Sequence, residues 1–139
     1  MKVVFTFNTI SKVIIILCCC IILTLQSGPC DKTRKVLTDS RGSISDGPPG
    51  TNYTQDSHCE WLIKAKDPQQ FITLTFLSMS TECSYDYIYI YDGDSFNSTL
   101  LGSFSGKNEP EKITASSGYM LILLYSDTIT CWMVSLQNI

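Results

Sequence analysis

The chain has 139 residues, with 10 Lys or Arg against 13 Asp or Glu, so its formal net charge is −3. An acidic balance disfavours binding to nucleic acid or to an anionic membrane surface, because both attract basic proteins. The length and the 44% content of hydrophobic residues allow one domain with a substantial core.

The amino-terminal segment has the pattern of a secretory signal. Lys2 and Lys12 precede an apolar run of 13 residues from Val13 to Leu25, after which the pattern stops. A spanning helix needs about 20 apolar residues, so this run is short for a membrane anchor and fits the apolar part of a signal peptide. We predict a cleaved signal over residues 1–27, with an uncleaved anchor as the alternative. No other run is long enough to cross a membrane.

Removal of residues 1–27 takes away two lysines and three cysteines. The remainder carries 8 basic and 13 acidic residues, a net charge of 8 − 13 = −5. Four cysteines in a secreted chain favour disulfides, with metal ligation as the second interpretation. They are Cys30, Cys59, Cys83 and Cys131.

Short alternating stretches separated by turn residues predict strands along the rest of the chain. Residues 30–52 hold one apolar pair, Val36-Leu37, between predicted loops at 40–43 and 46–50. Strands are then predicted at 59–63, 71–77, 100–104, 112–115 and 119–125, with Gly, Pro, Asn or Asp turns between them. The absence of helical periodicity predicts an all-β sandwich of two sheets. Asn52 and Asn97 begin glycosylation sequons.

The stretch 83–95 is the organising element of the chain. From Tyr87 to Tyr91 tyrosine and isoleucine alternate strictly, which predicts a strand buried on one face and covered by tyrosine on the other. The residues Asp92-Gly93-Asp94-Ser95 then predict a turn. Asp86 lies beside Cys83 at the start of this strand, where we expect a site at the rim of the domain.

Several motifs in this order resemble a CUB domain over roughly residues 30–127. They are Cys59-Glu60-Trp61-Leu62-Ile63, Cys83-Ser84-Tyr85-Asp86-Tyr87, Tyr91-Asp92-Gly93, Leu101-Gly102, Ser105-Gly106 and Tyr125-Ser126-Asp127. The sequence is similar to CUB domains of the attractin and multiple-EGF-like-domain receptor group. The resemblance implies an antiparallel, jellyroll-like sandwich that binds extracellular proteins. It also implies a Cys30–Cys59 disulfide, with Trp61 packed against it.

The chain departs from the CUB pattern at its second disulfide and at its carboxyl-terminal end. The family pairs the cysteine at position 83 with one at position 105, which is Ser105 here, so Cys83 pairs with Cys131, stays free or pairs between chains. The family's last strand is missing, and residues 128–139 form an atypical tail in which Trp132, Val134 and Leu136 share a face. We therefore expect a short form of a larger, single-pass receptor.

The resemblance also implies where calcium and a partner would bind. Asp86 and Asp127 match two calcium ligands of the family, but the expected Glu is Ser78, and Glu82 lies nearby out of register. One interpretation is that Asp86, Asp127 and Glu82 bind calcium. The alternative is that they are solvated acids at the rim. Partner contact is predicted at Tyr85, Asp86 and Asp127. The other tyrosines of the strand are expected to cover the sheet.

Two other classes of function compete with protein binding. Catalysis is disfavoured because His58, the single histidine, adjoins Cys59 and no triad or zinc set can be assembled. A secreted hydrolase is therefore the weaker alternative. An inert fragment that binds nothing is the stronger alternative, because of the missing strand. The sequence prediction is a secreted, N-glycosylated module that binds an extracellular protein and is not an enzyme.

Overall fold

The computed structural model describes residues 1–8, 32–47 and 53–128. Within them the chain forms nine strands. The strands are β1 (Lys2–Asn8), β2 (Arg34–Leu37), β3 (Arg41–Ser45), β4 (His58–Lys64), β5 (Phe71–Ser78), β6 (Tyr87–Asp92), β7 (Thr99–Phe104), β8 (Ile113–Ala115) and β9 (Tyr119–Tyr125).

The strands form two sheets that enclose a single core. One sheet has the order β3-β1-β5-β8 and the other the order β2-β4-β9-β6-β7. The all-β, two-sheet sandwich predicted from the sequence is therefore confirmed. One described pair differs from the antiparallel prediction, because β2 runs parallel to β4.

Alternation along the strands places the apolar residues in the core. In β4, Cys59, Trp61 and Ile63 are buried, as the sequence predicts. In β6, Ile88 and Ile90 have no exposed surface, whereas the tyrosines that alternate with them are half-buried. The strand therefore has one core face and one tyrosine face, because successive side chains point to opposite sides of a sheet.

Strand β9 is buried on both faces because it lies in the middle of its sheet. Met120, Ile122 and Leu124 belong to the core cluster. Leu121 and Leu123 point to the outer face but are also buried, beside Tyr91 and Tyr89 of β6. Side chains directly opposite on antiparallel strands contact one another, so the tyrosines cover the sheet surface as the sequence analysis expects.

The sequence prediction was wrong at residues 40–43, which were assigned to a loop. Residues Arg41–Ser45 form β3, which pairs with β1. Ile44 of this strand is buried in the core. The polar and glycine-rich composition concealed a strand whose partner is distant in the sequence.

Strand β1 lies within the segment predicted to be a cleaved signal. Residues 2–6 pair with β3 and residues 2–8 pair with β5, and Val3 and Phe5 are buried. The structure describes the uncleaved chain here, so cleavage after residue 27 stays a prediction. The apolar run at 13–25 and the tail from 129 onward lie outside the described residues.

A single carboxylate fastens the end of β6 to the turn before β9. Asp92 accepts hydrogen bonds from the backbone N–H of Ser116 at 3.0 Å and of Ser117 at 2.9 Å, and from the Ser116 hydroxyl at 2.8 Å. Burial raises the pKa of Asp92, but these hydrogen bonds outweigh it and hold the pKa below its ordinary value. The charged carboxylate therefore stabilises this end of the sandwich.

Replacing Asp92 by Asn is expected to lower the free energy of unfolding by about 1 kcal/mol at pH 7, because the amide offers one acceptor where the carboxylate offers two. Because the pKa of Asp92 is depressed in the folded state, its stabilising contribution is complete above the pKa of an unfolded Asp, about 3.9. The contribution is lost as the pH falls through the lower pKa of the folded state. Urea unfolding of both proteins between pH 7 and pH 2 tests this. A difference that stays constant down to pH 2 would contradict the assignment.

Candidate binding site at the rim

Three strand ends meet at one end of the five-stranded sheet. His58, which begins β4, pairs with Tyr125, which ends β9, and Tyr125 also pairs with Tyr87, which begins β6. Residues 53–57, 79–86 and 126–128 continue from these ends. We call this group the rim.

Asp86 is the centre of the rim. Its side chain is buried, with 3% of the residue exposed. One carboxylate oxygen accepts a hydrogen bond from the Tyr53 hydroxyl, and the other accepts one from the backbone N–H of Asp127 at 3.0 Å. Asp86 therefore joins three segments that are far apart in the sequence.

Tyr53 bridges Asp86 and the backbone of Glu82, both in the connection formed by residues 79–86. Its hydroxyl oxygen accepts a hydrogen bond from the backbone N–H of Glu82 at 2.9 Å while the hydroxyl donates to Asp86. Burial, followed by the hydrogen bond to Asp86, raises the pKa of Tyr53 to about 12. The hydroxyl therefore keeps its proton at physiological pH and remains the donor in this pair.

The 79–86 connection is held by hydrogen bonds at the position where the CUB resemblance implies a disulfide. The Ser105 hydroxyl accepts from the backbone N–H of Ser84 at 2.8 Å and donates to the carbonyl of Glu82 at 3.1 Å. Cys83 is exposed and is a free cysteine in the structure. Ser105 thus supplies two hydrogen bonds to the loop that carries Cys83.

A second pair of contacts fixes the segment before β4 to the segment after β9. Ser126 is buried, and its hydroxyl accepts from the backbone N–H of Ser57 at 2.9 Å. Its own N–H donates to the Ser57 carbonyl at 3.0 Å. The N–H of Asp56 donates to the carbonyl of Asp127 at 2.8 Å. These contacts fix Asp127, which bonds one carboxylate oxygen of Asp86 while Tyr53 bonds the other.

The predicted contact residues differ in how accessible they are. Tyr85 is 57% exposed and Asp127 is partly exposed, so a partner can reach both. Asp86 is buried behind Tyr53 and the Asp127 backbone, so it positions these groups rather than offering itself. Partner contact at these three residues stays a prediction.

The predicted calcium ligands come together only in part. Asp86 and Asp127 are adjacent, but Glu82 enters the network through its backbone. Within the described ranges no group of three His, Cys, Asp or Glu side chains could hold a metal ion. Calcium binding at the rim therefore stays a prediction.

The remaining sites predicted from the sequence are placed only in part. Cys59 is buried beside Trp61 in the core, but Cys30 and Cys131 lie outside the described residues, so both disulfide pairings stay predictions. Asn97 is exposed in the loop between β6 and β7, as a glycosylation site must be. Asn52 lies outside the described residues.

His58 lies within hydrogen-bond distance of Glu60, two residues further along β4. Its Nε2 lies 2.9 Å from Oε1 of Glu60, and Oε2 of Glu60 accepts from the Arg34 side chain at 2.7 Å. Burial raises the pKa of Glu60, but the hydrogen bonds from Arg34 and His58 outweigh it and lower the pKa. This set links β2 to β4 on the outer face of the sheet.

Sequence reasoning did not assign four residues to this site, namely Tyr53, Thr81 and Ser126 of the rim and Ser105 beside it. Their contacts join distant parts of the chain: the Tyr53 hydroxyl bonds Glu82 and Asp86, 29 and 33 residues away, and the Ser126 hydroxyl bonds Ser57, 69 residues away. Thr81, for example, accepts from the N–H of Gly106 at 2.8 Å and donates to the Asp86 carbonyl. Only the fold brings these groups together.

The fold and the rim define a two-layer β-sandwich module with a buried carboxylate at one end. Residues 30–131 match the family described as the CUB domain. The chain belongs to the CUB domain family, as the resemblance in the sequence predicted. Within the described ranges, no helix has the length and apolar character to cross a membrane.

Longer proteins share this domain with the chain. "Multiple epidermal growth factor-like domains protein 8" of Mus musculus is 48% identical over 105 residues, which is 76% of this chain and 4% of that protein. "Neuropilin-1" of Gallus gallus is 34% identical over 107 residues, or 74% of this chain and 12% of that one. The chain thus spans a small part of the relatives that it matches.

A solved structure of the same fold is the "CUB1-EGF-CUB2 domain of HUMAN MASP-1/3". It is 28% identical, has a TM-score of 0.58, and covers 77% of this chain and 40% of its own length. The corresponding domains of rat MASP-1 give a TM-score of 0.59 at 25% identity. These likenesses support the jellyroll-like arrangement of the two sheets.

Proposed function

We propose that the chain is an extracellular module that binds a protein partner through the rim. The observation that carries this proposal is the Asp86 network, which holds the exposed Tyr85 and the partly exposed Asp127 on a fixed framework. Tyrosine is enriched at protein interfaces, and a rigid framework reduces the entropy lost on binding. Membership of the CUB domain family supports an interaction role.

The charge of the rim defines the chemistry of the partner. Glu82 and Asp127 lie on its loops, Asp56 beside them is paired with Lys32 at 3.1 Å, and the segment after the predicted cleavage site has a net charge of 8 − 13 = −5. An acidic surface attracts a basic one, so we propose a partner with Lys or Arg beside an apolar contact for Tyr85. Binding should weaken as the salt concentration rises.

Screening the secreted chain against a panel of purified extracellular domains, with binding measured by surface plasmon resonance, tests this function. The Tyr85→Ala variant is expected to weaken the saturable interaction about tenfold, as loss of an interface aromatic does. Phe71→Ala is the matched control, because Phe71 is 47% exposed at the far end of β5. Equal effects of the two substitutions would exclude the rim as the contact.

The same experiment separates the competing functions. The inert-fragment alternative predicts no saturable partner at all. A hydrolase would turn over a substrate and lose that activity in His58→Ala. Calcium binding is tested by repeating the titration with calcium chloride and with a chelator. Calcium-dependent affinity in the natural chain that is absent in Asp127→Asn would establish a calcium site. Equal affinity of the natural chain with calcium and with chelator would exclude a role of calcium in binding.

A further inference from the structure

The outer face of the five-stranded sheet carries a row of tyrosines. Tyr87, Tyr89 and Tyr91 follow one another along β6, and the rings of Tyr87 and Tyr89 stack with their centroids 5.7 Å apart. Tyr125, at the end of β9, pairs with Tyr87 and is 46% exposed. In the part of the chain that the structure describes, none of these four phenol hydroxyls has a hydrogen-bond partner. We call these four residues the tyrosine row.

Strand β4 lies on the other side of β9, and its outward side chains match the tyrosine row level by level. Each of them shares a paired residue on β9 with one tyrosine of β6: His58 with Tyr87, Glu60 with Tyr89 and Leu62 with Tyr91. Strand β9 therefore divides the face into an aromatic half and a half formed by β4 and β2. A two-fold rotation about an axis along β9 exchanges these halves and keeps each level.

We propose that two copies of the chain associate face to face through this sheet, related by a two-fold axis along β9. Such an interface is isologous and closed, so it ends at a dimer. The tyrosine row of each copy lies over the outward residues of β4 of the other. Leu62 then faces the ring of Tyr91, and the carboxylate of Glu60 faces the hydroxyl of Tyr89. Each of these contacts occurs twice.

The chemistry of the Glu60–Tyr89 contact suits a hydrogen bond between the copies. Burial, followed by the neighbouring tyrosines, raises the pKa of Tyr89, so its hydroxyl keeps the proton at neutral pH and can donate. The hydrogen bonds from Arg34 and His58 lower the pKa of Glu60, so its carboxylate is charged. A carboxylate has about four acceptor sites, so these two bonds leave room for a third donor. Charge-assisted hydrogen bonds are stronger than neutral ones.

The charge of this face does not oppose a second copy. The chain has a net charge of −3, so two copies repel one another on average. The five strands of this sheet hold two acidic residues, and both are bonded within their own copy. Glu60 accepts from Arg34, and Asp92 accepts from Ser116 and Ser117. No uncompensated acidic side chain of these strands therefore enters the contact.

The size of the face suits a reversible dimer. Five strands about 4.8 Å apart, with about 3.3 Å for each of the seven residues of β9, cover roughly 550 Å². Two copies thus bury roughly 1,100 Å², which is at the lower end of the range for specific interfaces. Sheets that pack face to face keep their strands within about 30° of each other, as an axis along β9 requires.

The dimer has a consequence for binding at the rim. Rotation about an axis along β9 leaves the direction of the strands unchanged, so both rims lie at the same end of the dimer. Two rims at one end can bind a partner that has two sites, and linked binding raises the overall affinity. The dimer itself does not depend on the function proposed for the rim.

Sedimentation velocity on the chain purified from animal cells, from about 1 µM to about 200 µM, tests the proposal. We expect the sedimentation coefficient to rise from that of a monomer to that of a dimer. Tyr89→Phe removes only the hydroxyl and should weaken dimerisation about tenfold. Leu62→Asp places a charge against Tyr91 and should keep the chain monomeric throughout. Leu77→Asp is the matched control, because Leu77 is 53% exposed on the outer face of the other sheet.

Several results would overturn the proposal. One is a natural chain that stays monomeric throughout this range. Another is a dimer that Leu77→Asp weakens as much as Leu62→Asp, or that Tyr89→Phe leaves unchanged. A dimer that survives detergent without reductant is held by a disulfide and also counts against it. If Leu62→Asp does not fold, Tyr89→Phe still decides. Tyr85→Ala should keep the dimer, so failure of the rim as a binding site is distinguished from failure of this interface.

Discussion

Replacing Gly118 by Ala is expected to lower the free energy of unfolding by roughly 3–5 kcal/mol, which is a large part of the stability of an ordinary domain. Gly118 has a φ of 76°, a conformation that side-chain-bearing residues rarely adopt. A Cβ atom there would lie 2.7 Å from both the Cα and the carbonyl oxygen of Pro68. These are backbone atoms, so the clash cannot be relieved by rotating a side chain.

The effect should extend to the pairing of β4 with β9. The carbonyl of Gly118 accepts a hydrogen bond from the N–H of Ala65 at 2.9 Å, directly after β4. Moving Gly118 away from Pro68 therefore disturbs this bond as well. Urea unfolding followed by tryptophan fluorescence measures the change, because Trp61 is buried in the neighbouring strand.

Gly106→Ala is the matched control for this prediction. Gly106 has a φ of 82°, so the backbone strain is similar, but its Cβ atom would meet the Cys83 sulfur at an ordinary 3.6 Å. We expect a loss of about 1–2 kcal/mol from the left-handed conformation alone. If the two variants lose equal stability, the contact with Pro68 contributes nothing and the prediction fails.

Replacing Asp86 by Ala is expected to lower the free energy of unfolding by about 3–5 kcal/mol. The substitution leaves two partly buried donors without the buried Asp86 acceptor, the Tyr53 hydroxyl and the N–H of Asp127. An unpaired buried polar group costs about 1–3 kcal/mol, and two are lost together. Asp86→Asn keeps the volume and one acceptor, so it should lose less. Chemical unfolding at pH 7 compares the three proteins.

A double-mutant cycle assigns this effect to the pair. Tyr53→Phe removes the hydroxyl that donates to Asp86 and accepts from Glu82. The double variant should lose less stability than the sum of the two single variants' losses, by about 1 kcal/mol or more, because residues in one network are coupled. Additive losses would show that Tyr53 and Asp86 act independently and would remove the framework on which the proposed binding site depends.

The position of the rim was predictable but its architecture was not. The Cys-Ser-Tyr-Asp stretch places Asp86 directly before an alternating strand, and the structure confirms this position before β6. The sequence does not show that Asp86 is buried. Its burial depends on Tyr53 and Asp127, which are 33 and 41 residues away, and a long loop closure cannot be derived from local patterns.

The order of the CUB motifs indicates the family, and alternation in residues 59–63, 71–77 and 87–91 predicts strands and the buried face of each. Alternation suffices for this because a strand with one buried face must repeat its apolar residues with a period of two. Only the folded structure shows the strand at Arg41–Ser45, the parallel pairing of β2 with β4 and the position of β1 between β3 and β5. Each of these depends on which strand edges meet, and pairing between distant segments leaves no local signal in polar or glycine-containing residues.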